Sequence, residues 1–446
     1  MAVDLVSWLQ EHRVINASGT MTDLGASSVP EDVARLVMES LRCFVDMHAL
    51  QAMASSVIVR ATGAEAGCVT GSAAGGVAVA VAGCMTGSDL GAIESLPDTS
   101  ALSRRVIIQK GHVVNFGVPI SQVIRLTGAE VLEIGSATDC RPYQLEHALD
   151  RETAAVVYVV SHHTVQSGLL PLGDVARIAR QAGVPVIVDA ASEYDLRSFI
   201  GLGADLAVYS AHKFLAGPTA GIVAGRKDLV RAAYLNQVRG IGRAMKVGKE
   251  GIVGAVAALE RWLALDHGAQ HEAEYRRVRE LGEGMERIPG LRAVEVPDPT
   301  GNPITRVRVH LDGPNPGRAA AALAQALRTG SPPVAVRDHH VDLGYFELDP
   351  CNLLEGDVPV ILERMAQSVR EGVLKESPSP APEPVVPGRL GPRRSTYTPD
   401  GLPCVDVGQV PWAGQGIPPG GREQALLDWP DAYLGGMGDG GESPGS

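Results

Sequence analysis

The chain is poor in aromatic side chains: Phe, Tyr and Trp make up 4% of its 446 residues, against 45% hydrophobic residues in all. Its cores are therefore expected to be aliphatic. A basic excess is also missing. Lys and Arg number 39 against 51 Asp and Glu, for a net charge of −12, which argues against a general nucleic-acid binder, since such proteins present a basic face. The six cysteines (Cys43, Cys68, Cys84, Cys140, Cys351 and Cys404) are scattered without a CxxC pair, so neither a metal site nor a dithiol redox motif is expected. The apolar stretch Val77–Met85 falls well short of the roughly 20 residues a membrane span needs, so no membrane partner is expected. No charged-then-apolar leader opens the chain, and Met1–Gln10 reads as an amphipathic turn; a reducing cytoplasm is the expected location.

A length of 446 residues is long for one core and suggests several bodies. Residues 1–50 read as an arm and a first helix, which starts at Pro30-Glu-Asp. Residues 51–260 alternate strand and helix patterns, as a doubly wound, mostly parallel sheet requires. The expected strands are Ala66–Thr70, Arg105–Gln109, Val131–Ile134, Ala155–Val160, Val184–Val188, Leu206–Tyr209 and Gly221–Ala224. A long apolar helix, Gly251–His267, leads into a smaller α+β body over 261–375, with strands near Arg306–His310 and Val334–Val336. The last 71 residues, 376–446, hold 13 of the 30 prolines. They read as a disordered tail in which Trp412 and Trp429 dock on a partner or on the body itself.

The chemistry concentrates between Asp189 and Pro218. Val184-Pro-Val-Ile-Val ends in Asp189, and Asp205-Leu-Ala-Val-Tyr ends in Ser210-Ala-His212-Lys213, with Gly217-Pro218 just beyond. Both are short β-branched runs that suit buried parallel strands. In an open α/β sheet the carboxyl ends of the strands line the ligand crevice. One strand end thus offers a carboxylate, and the next a lysine beside a serine. Pyridoxal 5′-phosphate (PLP) needs this set: an amine for the imine and an acid to hold the ring nitrogen protonated. The bland alternative, a helix-capping Asp and an unrelated lysine, leaves their spacing unexplained.

Thr70-Gly-Ser72-Ala73-Ala74-Gly75 follows a strand and opens a helix. The Ser72 hydroxyl and the amides of Ala73 and Ala74 form a candidate phosphate cup; the alternative is a tight turn with Ser72 as its cap. His162 and His163 end another strand. One of them reaches the ring or serves as acid or base, and strand phase leaves open which; His163 is the one carried forward as catalytic.

Ser210-Ala-His-Lys-Phe-Leu-Ala-Gly-Pro218 resembles the lysine motif of fold-type I PLP enzymes, especially the class V aminotransferase and cysteine desulfurase group. Val14–Thr20, Thr62-Gly-Ala-Glu-Ala66, Ile107–His112 and Ile241–Lys249 together resemble the bacterial selenocysteine synthase-like family, in collinear order over about residues 10–370. That family includes L-seryl-tRNA selenium transferase and D-glucosaminate-6-phosphate ammonia-lyase. The resemblance implies a fold-type I architecture, PLP on Lys213 and a homo-oligomer of two or more subunits. It places His112 over the cofactor ring and Ser210 and His212 near the phosphate, although His212 serves equally well as a packing residue. It also puts Arg337 and Arg243 against substrate anions, with Lys246 and Lys249 behind them; a solvated surface charge is the alternative for each.

Several features depart from that family. The additional N-terminal tRNA-docking domain of the true synthases is missing before residue 11, so tRNA is not an expected substrate. Ser-Ala-His-Lys213 stands where lyase-like members carry Ser-Gly-Gly-Lys, Ala244 stands in place of Pro, and Ala190-Ala191-Ser192-Glu193 differs from the usual continuation. Cys351, in Asp-Pro-Cys-Asn, occupies a desulfurase-like location without activating neighbours and reads as structural. The expected reaction is α,β-elimination on a small hydroxy or β-substituted amino acid, with Lys213 as base and Asp189 supporting the electron sink. Transamination, a desulfurase-like transfer and a non-catalytic scaffold are the other readings.

Overall fold

The computed structural model describes residues 4–373. The tail from residue 376, with Trp412 and Trp429, lies outside the described residues. In chain order the strands are β1 (Ile15–Ala17), β2 (Ala66–Thr70), β3 (Arg105–Gln109), β4 (Glu130–Ile134), β5 (Thr153–Val159), β6 (Val186–Asp189), β7 (Leu206–Ser210), β8 (Gly221–Gly225), β9 (Leu291–Pro297), β10 (Thr305–Leu311), β11 (Val334–Val336) and β12 (Tyr345–Leu348). Seven of them form one sheet in the order β2-β8-β7-β6-β5-β3-β4. Only β8 runs against its neighbours; the other pairs are parallel.

The sheet's hydrophobic strands follow from its being covered on both faces. One buried cluster joins Val186, Val188, Ala207 and Tyr209 to the helices Met47–Thr62 and Lys249–Ala264. The other joins Ile187, Leu206 and Val208 to the helices Ala73–Thr86 and Lys227–Arg239. The scarcity of aromatics is met by close approach. A Cβ at Gly76 would lie 2.9 Å from Val208 Cγ1, and one at Gly83 would lie 2.7 Å from the Ala233 nitrogen. Small residues let these helices sit against the sheet and each other.

A second body has an antiparallel sheet, β12-β10-β9, backed by the helices His267–Met285, Pro316–Thr329 and Asp357–Arg370 around one apolar cluster. The helix Glu31–Leu41 starts directly after Pro30, as the sequence suggests. The segment before it is more than an arm: β1 pairs in parallel with β11, Ile15 opposite Val334, and Ile15 and Ala17 belong to the second body's core. Local pattern cannot reveal a partner so distant in the chain. Among the described residues, no helix is long and apolar enough to cross a membrane.

Candidate active site

The parallel register sets Asp189 beside Val159 of β5 and Val208 of β7, so three strand ends open on one side of the sheet. Asp189 is buried, and its Oδ1 accepts a hydrogen bond from the Ala191 amide at 3.1 Å. Burial raises its pKa, against the Ala191 amide and the positive charge of Lys213. Lys213 follows β7 in a turn tied by Ala216 N–H to its own carbonyl at 2.9 Å and by Gly217 N–H to Ala211 O at 2.8 Å. Burial lowers the pKa of the Lys213 ammonium, opposed by Asp189 and Glu193 and assisted by Arg337. The amine is therefore closer to its neutral, nucleophilic form than a solvated lysine.

Three buried polar atoms at or just beyond the ends of β5 and β7, Ser210 Oγ, His212 Nδ1 and His162 Nε2, have no hydrogen-bond partner among the described residues. Buried polar groups are normally paired, so this set calls for a polar ligand. Thr70 and Ser210 flank Gly221 in one row of the sheet, and just past Thr70 Ser72 caps the helix Ala73–Thr86, its Oγ accepting from Gly75 N–H at 3.0 Å. The amides of Ala73 and Ala74 lie in that first turn, where N–H groups lack helical acceptors. The cup is shaped by glycine: a Cβ at Gly71 would lie 2.5 Å from the Met245 carbonyl, and one at Gly221 would overlap the Ser72 carbonyl. An amine, a buried carboxylate, an orphaned hydroxyl and a helix N-terminus are the groups that PLP needs.

His112 is buried in the turn after β3, edge-on to Tyr158 with ring centroids 4.4 Å apart. Its Nδ1 accepts from Val159 N–H at 3.3 Å, which puts the neutral ring's proton on Nε2. Burial lowers its pKa to about 4. The His162 and His163 rings lie tilted with centroids 3.8 Å apart, and His163 meets His339 of the second body at 5.7 Å. His163 is the more exposed of the two. Its pKa is lowered by burial, then by His339, Arg337 and Lys213, so a neutral ring is available as a base.

Arg337 is buried after β11, donating from Nη1 to Ser18 O at 3.3 Å, with Nε 3.8 Å from Glu347 Oε2. The fold brings it into the electrostatic neighbourhood of Lys213. It does not bring Arg243, Lys246 or Lys249 there within one chain. Arg243 and Lys246 line a separate cavity of ≈330 Å³ with Arg239, Gln51 and Gln237, behind the Met245 wall of the cup. The Lys249 ammonium donates to the carbonyls of Leu41 and Cys43 and sits over the Phe44 ring. Cys351 shares a ≈540 Å³ cavity with Lys213, Tyr194 and Asn352, but burial and then Asp349 push its thiol pKa well up. A protonated thiol is a poor nucleophile.

Glu193 was not among the expected site residues, though its segment stands out as a departure from the family pattern. It is buried near Lys213, with Oε2 2.9 Å from Thr300 Oγ of the β9–β10 loop. Beyond Thr300 lies Arg306, which pairs with Asp298 and Asp349 at 2.7 Å each. These groups come from segments about a hundred residues apart, so no local motif announces them.

The family model for SelA, L-seryl-tRNA selenium transferase, matches residues 14–279. The chain belongs to that family. This SelA-family chain is 37% identical over 367 residues to D-glucosaminate-6-phosphate ammonia lyase of Salmonella typhimurium, covering 82% of this chain and 98% of that protein. It is also 37% identical over 356 residues to 5′-C-glycyluridine monooxygenase-decarboxylase of a Streptomyces species, covering 79% and 89%. A solved structure of D-glucosaminate-6-phosphate ammonia-lyase superposes with a TM-score of 0.74 at 36% identity, covering 83% of this chain and 99% of that one. The SelA-family architecture here is the fold-type I arrangement, an α/β sheet body with a smaller α+β body.

Proposed function

We propose that this chain is a PLP-dependent lyase that removes the α-proton and expels a β-substituent from a small hydroxy amino acid. The observation carrying this reading is the desolvated Lys213 in the field of buried Asp189, three residues after the partnerless Ser210 hydroxyl, in a chain with an ammonia lyase among its relatives. When bound, PLP supplies an aldehyde to hold the substrate amine and a ring to accept the electron pair left on the α-carbon. Lys213 holds the cofactor and then takes the α-proton, a role its burial suits. Asp189 keeps a proton at the ring nitrogen. Ser72, the amides of Ala73 and Ala74, Ser210 and His212 would hold the phosphate, and His112 would lie against the ring. Arg337 grips the substrate carboxylate with its planar fork, and His163 moves a proton at the cleft mouth. Arg243 serves the site of a neighbouring subunit, so the working unit is a homo-oligomer; its place is the cytoplasm.

The test incubates purified holoenzyme with D- and L-2-amino-3-hydroxy acids and measures ammonia. Release without an oxo-acid acceptor is expected, while strict dependence on an acceptor would indicate a transaminase. Borohydride should trap the cofactor on Lys213. The equal identity to a monooxygenase-decarboxylase favours oxidative decarboxylation as the second reading, for which oxygen uptake would accompany turnover.

A further inference from the structure

Residues 18–28 carry the chain from the second body to the sheet body. Before them lies β1, whose Ala17 carbonyl accepts from the Asp349 amide at 2.9 Å and whose Ile15 and Ala17 belong to the second body's core. After them the helix Glu31–Leu41 packs on Lys249–Ala264, a helix that covers the sheet. This crossing is pinned from both bodies. Asn352, just past β12, donates from Nδ2 to the carbonyls of Gly19 at 3.0 Å and Ala26 at 2.7 Å. The loop so closed holds buried Ala26 at φ +64°, a left-handed conformation that an alanine seldom adopts unless held. From the other side Ser27 Oγ donates to the His212 carbonyl at 2.6 Å. The turn after β7 ties its own Ala211 and Lys213 carbonyls to Gly217 and Ala216, whereas that of His212 is held from the crossing. The peptide plane between His212 and Lys213 sets the direction in which the lysine side chain leaves the backbone, so this bond acts on the lysine. Thr20, Ser27, Ser28 and Asn352 line the same ≈540 Å³ cavity as Lys213.

We propose that Asn352 and Ser27 are positioning residues for Lys213, joining the second body to the lysine turn through residues 18–28. The inference rests on the reading of Lys213 as the cofactor lysine. A shift of the second body moves Asn352, then the loop it closes, then Ser27 and the His212 carbonyl. The crossing also begins at Ser18, whose carbonyl accepts from Arg337 Nη1 at 3.3 Å. The arginine assigned to the substrate carboxylate and the lysine assigned to the α-proton thus hang on one piece of chain. Placement on this scale matters, since displacing a reacting group by about 1 Å costs up to roughly 10²-fold in rate.

The experiment compares wild-type holoenzyme with S27A, S27T, N352A and the S27A/N352A double variant, after borohydride labelling of the wild type has located the cofactor. The visible absorbance of the bound cofactor is titrated with pH, because it reports the proton on the nitrogen that joins Lys213 to the cofactor. S27A and N352A should each shift that midpoint in the same direction. Each should also lower kcat on the best hydroxy amino acid by up to roughly 10²-fold, with KM within a few-fold. S27T, which keeps the hydroxyl, should restore both. The double variant should match the singles, since residues acting along one path are not additive. In the cofactor-free protein, N352A should speed hydrogen exchange in 19–28 and also in 211–217, although Asn352 bonds only the first segment. An unmoved midpoint, additive losses, or faster exchange confined to 19–28 overturns the assignment. If N352A fails to fold, a wild-type midpoint in S27A is enough to overturn it. A wild type that eliminates nothing fails the lyase reading, while the absorbance and exchange results still decide this one. A labelled adduct on another lysine removes Lys213 as the cofactor lysine and the positioning role with it.

Discussion

Replacing Arg306 with methionine tests the charged packing within the second body, at the end of its β12-β10-β9 sheet, most directly. Its guanidinium is 7% exposed and bridges two carboxylates, Asp298 and Asp349, each 2% exposed, at 2.7 Å. Removing the cation leaves two buried negative charges, and breaking a buried pair in this way costs about 3–5 kcal/mol. The acid limb of the stability curve should change as well. Burial raises the Asp349 pKa, but Arg306, the Cys351 hydrogen bonds and Arg337 overcome it and leave the group below its ordinary value. A depressed carboxylate adds stability above its unfolded pKa, and that stability is lost as pH falls through the folded one. Urea unfolding followed by circular dichroism should show R306M weakened by that amount at pH 7, with a flatter decline into acid. Adding Asp298→Asn and Asp349→Asn should restore most of the loss. A single-variant cost below about 1 kcal/mol, the value of an exposed ion pair, would refute the reasoning.

K213A should lose turnover by at least roughly 10²-fold and take up no borohydride-trapped cofactor; a labelled adduct elsewhere would displace Lys213. D189N should keep the fold but weaken the electron sink, seen as a lower kcat with little change in unfolding midpoint. G221A drives a methyl group into the Ser72 carbonyl, so it should cost about 1–3 kcal/mol and raise the Kd for PLP, measured by absorbance titration. Glu193 has its folded pKa raised from 4.5 to about 8, so its contribution is fully present below 4.5 and falls away as pH climbs to 8. Relative to the wild type, E193Q should gain stability between pH 5 and 9, and parallel curves would contradict a protonated Glu193.

Much of the sheet was legible because its signals are local. The β2, β3, β7 and β8 runs were bounded to within a residue, while the β6 run, expected over Val184–Val188, starts two residues later and ends one later: the carbonyl of Pro185 already pairs with Val156 N–H, but the ladder runs from Val186 to Asp189. The strand β1 was missed since three residues, Ile15–Ala17, carry no period of their own and gain a partner only at Val334. Asp189 and Ser210 close β6 and β7, as the runs suggested, and Lys213 lies three residues beyond β7. Arg243 and Lys246 carry a family-like pattern, yet within one chain they face another cavity. Glu193 was visible only as an unusual residue, for its meaning depends on Thr300, 107 positions away.

By itself, then, the order of residues determined the alternating strands and helices, the aspartate and serine that close two neighbouring strands, and the glycine-flanked helix start after β2. Each of these arises within one strand, one turn or one helix start, where short-range sterics and hydrogen bonding are sufficient. Only the tertiary structure decided which hydroxyl and imidazole atoms are left without partners, that Arg337 shares the field of Lys213, and that Thr300 stands between Glu193 and Asp298. Those outcomes depend on which distant groups exclude water from one another, and desolvation is a property of the assembled cleft.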